Sequence, residues 1–153
     1  MSKKYLLTTV GLQKLQEELK VLVNDKRKEV IERIREAAAH GDLSENADYA
    51  QAREEQSFIE GRISEIEEII KNAEIITQNS HGTTVTIGST VTIKASGQEK
   101  KYLIVGSNEA NPKEGKISNE SLVGKALLGK KAGNKFKVTT PAGEIDYEIL
   151  TIE

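Results

Sequence analysis

The first half of the chain carries apolar residues at the spacing of an amphipathic helix. Leucines at positions 12, 15, 19 and 22 follow a three-four-three spacing, which places them on one face of a helix. The stripe resumes at Val30 and ends in the alanines at 37 to 39, and Thr8 or Thr9 can cap its start. We therefore predict one helix from about residue 9 to residue 39, ~45 Å long at about 1.5 Å per residue.

A second apolar stripe has a similar length and a heptad-like spacing. Its members are Ala52, Ile59, Ile63, Ile66, Ile70 and Ala73. In the short connection between the stripes, Gly41 can adopt the left-handed conformation that ends the first helix, and Asp42 can cap the second. We predict an antiparallel helical hairpin, a two-helix coiled coil, over residues 1 to 77, with its tip at residues 40 to 49.

After Asn79 the pattern changes to short runs that are typical of strands. Five runs are separated by turns: VTI at 85 to 87, TVTIKA at 90 to 95, KYLIV at 101 to 105, KFKVTT at 135 to 140 and EIDYEILTI at 144 to 152. The segment at 118 to 130 has the pattern of one short helix, and residues 78 to 84 that of a linker. We therefore predict an α+β protein of two domains, with a strand-rich second domain at residues 85 to 153.

Composition narrows the class of protein. Of the 153 residues, 30% are charged and 37% hydrophobic, and no apolar run approaches the roughly 20 residues of a membrane-spanning helix or the core of a signal peptide. We expect a cytoplasmic protein. Because cysteine is absent and His40 and His81 are far apart, we expect any metal to be held by carboxylates or by a partner.

The charges are distributed unevenly between the two halves. Residues 1 to 77 carry 12 Lys and Arg against 16 Asp and Glu, whereas residues 78 to 153 carry 10 against 8. A protein that binds free nucleic acid tightly needs a clustered basic surface that displaces counterions from phosphates. The main partner is therefore not expected to be a free nucleic acid.

The tip concentrates acidic residues, with Asp42, Glu45 and Asp48 within seven positions. Asp42 and Glu45 can turn their carboxylates to the same side, as oxygen ligands for Mg²⁺ or as groups that orient water. Two carboxylates do not complete a magnesium site, so a partner would have to complete it. The alternative is a capping box, in which the same two acids only satisfy backbone amides.

Two longer motifs make the pattern specific. They resemble the Gre transcript-cleavage factors, and GreA most closely. The motifs are HGDLSENADY at 40 to 49 and AREEQSFIEGRISEIE at 52 to 67, and the later runs VTIGSTVTI and GKALLGK extend the resemblance. The resemblance runs over essentially the whole chain. It implies a hairpin that enters the secondary channel of bacterial RNA polymerase, and a second domain, similar to FKBP-type prolyl isomerases with an antiparallel sheet, that docks at the channel rim.

The resemblance also implies roles for individual residues. Asp42 and Glu45 match the two essential tip acids, which help to hold a second Mg²⁺ and a water at the polymerase's catalytic centre, where two ions assist phosphoryl displacement. They would stimulate the polymerase's own cleavage of nascent RNA in backtracked complexes. The protein would then be a cofactor of the polymerase and no enzyme itself, with no Mg²⁺ of its own, and a monomer when free.

Other positions are assigned by the same resemblance. Arg53 matches a basic position used toward RNA, although an intrahelical ion pair is an alternative, and Tyr49 can stack on a base or pack over the tip. Ala38 stands where the family often has arginine. The segment from 113 to 130, with Lys116, Ser121 and Lys125, is expected at the polymerase-docking face.

Three other functions are considered. An inhibitory Gre paralogue would occupy the channel without stimulating cleavage, which the intact acid pair disfavours. An active prolyl isomerase would need an apolar pocket, for which the second half offers only three aromatics, Tyr102, Phe136 and Tyr147. A polymerase regulator of the DksA type would need zinc-binding cysteines, which this sequence lacks.

Overall fold

The computed structural model describes residues 4–76 and 82–153. Contacts divide the chain into two compact units, one formed by Leu12–Asn72 and the other by Lys4–Gly11 together with Ala73–Glu153. Most of the linker predicted at 78 to 84, including His81, lies outside the described residues. Within them, no helix combines the length and apolarity that crossing a bilayer requires.

The first unit is a helical hairpin, as predicted. Its first arm contains α1 (Thr9–Val21), a π-helical segment (Leu22–Lys26) and α2 (Arg27–Ala39), and its second arm is α3 (Ala47–Lys71). The predicted cap of the first arm is Thr8, whose Oγ1 accepts a hydrogen bond from the Gly11 amide at 3.0 Å.

The π segment joins the two parts of the first apolar stripe. Leu22 and Val30 both belong to the hairpin core, but they are eight residues apart, or about 2.2 turns of an α-helix. In a regular helix Val30 would be rotated by about 80° from Leu22. A π turn contains more residues than an α turn, so each residue rotates the chain by a smaller angle. The π segment thereby compensates for this rotation, and both side chains reach the same face.

The hairpin core lies between the two arms. Val30, Ile59 and Ile63 are buried at its centre, and four partly buried side chains pack around them: Leu19, Leu22, Val23 and Ile34. Ala37 and Ala52 are also buried. The predicted apolar stripes therefore face each other, with two corrections in the second one: Ile69 is buried in α3 instead of Ile70, and Ala73 lies beyond the end of α3.

Three ion pairs link the arms and establish that they run antiparallel. Arg62 pairs with Glu18 through two hydrogen bonds of 2.7 and 3.0 Å, Arg27 pairs with Glu60 through two of 2.7 Å, and Arg33 pairs with Glu55. From Glu18 through Arg27 to Arg33 on the first arm, the residue numbers of the partners on the second arm decrease from 62 through 60 to 55. Hydrogen bonding to Arg27 lowers the pKa of Glu60, while desolvation acts in the opposite direction. Because exposed ion pairs contribute little to stability, they mainly define the register.

The second unit contains two sheets. The smaller one pairs β1 (Tyr5–Thr8) with β2 (Ala73–Ile76) in parallel, which explains why residues 4 to 11 group with this unit although the sequence assigned them to the hairpin. Glu109 accepts hydrogen bonds from the amide and hydroxyl of Thr8 at 2.7 and 2.6 Å. Both contacts hold the start of the chain to this unit.

The larger sheet has the strand order β5-β4-β3-β7-β6. Its strands are β3 (Thr90–Ala95), β4 (Gln98–Val105), β5 (Lys116–Ser118), β6 (Lys135–Thr140) and β7 (Gly143–Ile152). All neighbours are antiparallel except β4 and β5, which are parallel, so the sheet is mixed and the expectation of a purely antiparallel sheet is wrong in this one pair. The predicted α+β class is confirmed.

Two predicted elements of this unit need correction. Residues 85 to 87 are not a strand: the Val85 amide donates to the Lys130 carbonyl at 2.8 Å, and its side chain enters the core. The helix predicted at 118 to 130 is only α4 (Leu122–Leu127), because Ser118 belongs to β5. Gly124 allows close packing here, since a Cβ would lie 1.9 Å from the Ser118 carbonyl oxygen.

Two single substitutions, one buried and one exposed, test the hairpin core. Ile63→Ala removes a side chain that is 3% exposed, and we expect it to lower the free energy of unfolding by about 3 kcal/mol. Phe58→Ala removes a larger side chain of the same helix that is 76% exposed, and we expect a change within about 0.5 kcal/mol. Urea denaturation followed by helical circular dichroism measures both, and equal losses would contradict the assigned core.

Candidate functional site

The first arm of the hairpin ends just before the acidic loop. The amides of His40 and Gly41 donate to the carbonyls of Ala37 and Ala38, each at 3.3 Å. Gly41 has a φ of +79°, the left-handed conformation predicted for it. The chain therefore leaves the helix immediately before Asp42, and His40 interacts with the helix end through its backbone.

Asn46, and not Asp42, caps the second arm. Its side-chain Oδ1 accepts a hydrogen bond from the Tyr49 amide at 3.0 Å, and α3 begins at Ala47. The prediction that Asp42 caps this helix is wrong, because α3 starts four residues later than that role requires. The capping box proposed for Asp42 and Glu45 is absent for the same reason.

The two tip acids are thus free of the capping role. Both are exposed in the loop between α2 and α3. Asp42 Oδ1 accepts a hydrogen bond from the Ser44 hydroxyl at 2.8 Å. The Glu45 carboxylate has no hydrogen-bond or ion-pair partner among residues 4–76 and 82–153. Most of the four carboxylate oxygens are therefore open to solvent or to a partner.

The donor set fits a hard cation shared with another molecule. Carboxylate oxygens are ligands that Mg²⁺ accepts, and it commonly binds one or two of them and completes its shell with waters and phosphates. Across the part of the chain that the structure describes, no three His, Asp or Glu side chains converge on a common point. Asp42 and Glu45 fit the role of contributing ligands to a site completed elsewhere.

Arg53 and Tyr49 follow the loop on α3. The Arg53 guanidinium is exposed and donates to Gln56 Oε1 at 3.0 Å, and no carboxylate of a described residue lies within 4.0 Å of it. The intrahelical ion pair considered as an alternative is therefore not formed. Tyr49 is half-buried.

The three residues expected at the docking face lie in β5, at the N-cap of α4 and within α4. Lys116 is half-buried in β5 and pairs with Glu114 at 3.0 Å. Ser121 caps α4: its hydroxyl accepts from the Gly124 amide at 3.0 Å and donates to the Ser118 carbonyl at 2.7 Å. Lys125 is exposed in the same helix.

The aromatic residues of the second unit contribute to packing. The rings of Phe136 and Tyr147 stack at 5.5 Å and pack against the core, and burial raises the pKa of Tyr147. They line a cavity of about 530 Å³ whose other side chains are mostly charged: Lys94, Lys135, Lys137, Asp146 and Glu148. This number of charged side chains differs from the typical ligand pocket, in which hydrophobic and aromatic side chains predominate.

Comparison with known families identifies the chain. The family model described as transcription elongation factor, N-terminal, matches residues 5–75, and the model described as transcription elongation factor, GreA/GreB, C-term, matches residues 79–153. The chain belongs to the GreA/GreB family of transcription elongation factors. The resemblance noted in the motifs is thereby confirmed.

Individual members of the GreA/GreB family match over nearly the whole chain. Transcription elongation factor GreA of Bacillus anthracis is 51% identical over 99% of this chain and 98% of its own length. GreA of Shouchella clausii is 47% identical over 98% and 97%. Among solved structures, GreA factor homolog 1 of Thermus thermophilus is 28% identical, covers 99% of both chains and has a TM-score of 0.47.

One residue of this family member's tip was missed by reasoning from sequence. Asn46 caps α3, and its Nδ2 also donates to the Ala37 carbonyl at 2.8 Å, which joins the two arms. Asparagine ranks among the strongest N-cap residues, and an alternative helix start one turn after Asp42 could have been considered. The contact with Ala37, nine positions away, has no signal in the sequence.

The cap of α4 can be tested apart from any docking role. Ser121→Ala removes a hydroxyl that makes two hydrogen bonds, and we expect the second unit to lose about 1 kcal/mol of stability. Lys125→Ala changes an exposed side chain of the same helix and should stay within about 0.5 kcal/mol. Thermal unfolding measures both, and an unchanged midpoint for Ser121→Ala would contradict the assigned cap.

Proposed function

We propose that this GreA/GreB family member binds bacterial RNA polymerase, enters its secondary channel with the hairpin tip, and stimulates the polymerase's endonucleolytic cleavage of nascent RNA. The observation that carries this proposal is the exposed pair Asp42 and Glu45, which is released from capping by Asn46. Membership of the GreA/GreB family supports a role in transcription elongation.

The tip acids would act as ligands and not as a complete catalytic site. Asp42 and Glu45 would hold a second Mg²⁺ together with groups of the polymerase. When bound, that ion supplies charge stabilisation to the attacking and leaving oxygens of phosphodiester hydrolysis. The chain itself would supply two ligands of that ion and would leave the rest of the site to the polymerase. It would therefore activate the polymerase's reaction without being an enzyme alone.

Two further tip residues would contact the RNA 3′ end. Among the residues that the structure describes, the Arg53 guanidinium is engaged only with the neutral amide of Gln56, so its charge is available to a phosphate. Tyr49 is half-buried and would present its ring edge or face to a displaced base. With Ala38 in place of the family's frequent arginine, Arg53 would be the arginine of α3 that lies nearest to the loop along the chain.

Isosteric variants of the acids test the proposal. In a halted, backtracked elongation complex with labelled RNA, the parent protein should accelerate cleavage. Asp42→Asn and Glu45→Gln should each reduce that stimulation about 100-fold, because each replaces a charged ligand with a neutral one. Glu36→Gln makes the same chemical change at an exposed position of α2 and should stimulate cleavage as the parent does.

Binding must be measured alongside cleavage. All three variants should compete with the parent for polymerase, since the acids would contact the ion and not the docking surface. If the parent binds polymerase but slows or does not stimulate cleavage, the protein acts as an inhibitory paralogue and the proposal fails.

A charge reversal tests the docking face. We propose that Lys116, Ser121 and Lys125 lie at the contact with the channel rim. Of the three, Lys125 is the exposed one, so Lys125→Glu should weaken binding to polymerase about tenfold without altering the folding of the unit. Lys94→Glu, in β3, is the control. Equal affinity of the Lys125 variant and the parent would remove α4 from the docking face.

A further inference from the structure

The Asn46 side chain uses both of its polar groups at the tip. Its Oδ1 accepts from the Tyr49 amide at 3.0 Å, which caps α3, and its Nδ2 donates to the Ala37 carbonyl at 2.8 Å. An amide N–H only donates and a carbonyl only accepts, so the two partners fix the orientation of the side-chain amide. A carboxylate or a hydroxyl at position 46 could retain the cap but not both contacts.

The contact with Ala37 closes the acidic loop. It joins the first residue before α3 to the last turn of α2, nine positions earlier in the chain. Of the hydrogen bonds described for residues 40 to 49, it is the one that connects the two arms. The Ser44 contact to Asp42 is local and lies inside the loop.

The two ends of the loop are therefore held by different means. Gly41 leaves α2 through its left-handed turn, with its amide bonded to Ala38 at 3.3 Å. Asn46 returns the chain to the same helix end through its side chain. Asp42 and Glu45 lie between these two attachments, and loss of the Asn46 contact would remove the hydrogen bond that fixes the returning end to α2.

We propose that Asn46 is a positioning residue for the tip acids, through its hydrogen bond to the Ala37 carbonyl and separately from its role as a helix cap. This inference rests on the proposed function, in which Asp42 and Glu45 share a Mg²⁺ with polymerase. Ligands of a shared ion must be held within about 0.5 Å of the productive geometry, which a loop attached at one end does not ensure.

Asn46→Ser separates the two roles of the side chain. Serine is an equally good cap, because its hydroxyl can accept from the Tyr49 amide, but it is too short to reach Ala37. Asn46→Asp retains both the cap and the size, and replaces the donor with an oxygen that the Ala37 carbonyl repels. Gln51→Ser, at an exposed amide of the same helix, is the matched control.

The first measurement is the Mg²⁺ dependence of cleavage stimulation in backtracked complexes. We expect Asn46→Ser to raise the Mg²⁺ concentration for half-maximal stimulation about fivefold, with helix content and competition for polymerase unchanged. Asn46→Asp should not restore the parental value, whereas Gln51→Ser should keep it. Parental Mg²⁺ dependence in both Asn46 variants would overturn the inference, as would a loss of stimulation that tracks a loss of helix content.

The second measurement needs neither polymerase nor cleavage. Because the chain has no cysteine, Leu43→Cys provides a single attachment site for a spin label at an exposed loop position. Adding Asn46→Ser or Asn46→Asp should increase the label's mobility, seen as narrower spectral lines, whereas adding Gln51→Ser should not. Unchanged lines in both Asn46 variants would show that the contact does not order the loop and would overturn the inference.

The two measurements separate this inference from the proposed function. If the parent fails to stimulate cleavage while the label responds to Asn46→Ser, the proposed function fails and Asn46 still orders the loop. If the parent stimulates cleavage and the Asn46 variants match it in both measurements, the proposed function stands and the positioning role is wrong.

Discussion

The interaction on which the tip depends is the burial of two apolar stripes against each other. Val30, Ile59 and Ile63 are removed from water between the arms, and this burial supplies most of the stability of a hairpin whose surface is otherwise charged. Because the apolar contacts continue to Ala37 and Ala52, the arms remain close up to the loop. Small side chains there let a single amide bridge the two helices.

The sequence pattern predicted the two arms of the hairpin but not the residue that caps the second arm. Apolar periodicity is repeated over many residues, so the two arms of the hairpin could be predicted, and the strands at 90 to 95 and 135 to 140 could be assigned with their observed limits. A cap depends on one side chain, and several candidates within one turn satisfied the same pattern. Asp42 was the predicted cap because it follows Gly41, whereas four more residues follow Asp42 before α3 begins at Ala47.

The second unit shows a different limit of the sequence pattern. Val85 lies in a run that alternates like a strand, yet it is buried by packing beside Leu127 while its amide bonds to Lys130. Burial alone can select a β-branched residue without any ladder of hydrogen bonds. Likewise the short strand β5 pairs in parallel with β4, and three residues carry no signal that distinguishes parallel from antiparallel pairing.

The choice of asparagine at the tip follows from its two partners. As a helix cap, aspartate would serve as well, and its charge would interact favourably with the helix N-terminus. At position 46, however, a carboxylate would face the Ala37 carbonyl and would add a further negative charge beside Asp42 and Glu45. An amide caps α3, joins it to α2 and stays neutral. The loop therefore keeps its negative charge on the exposed acids, where a cation brought by a partner can reach it.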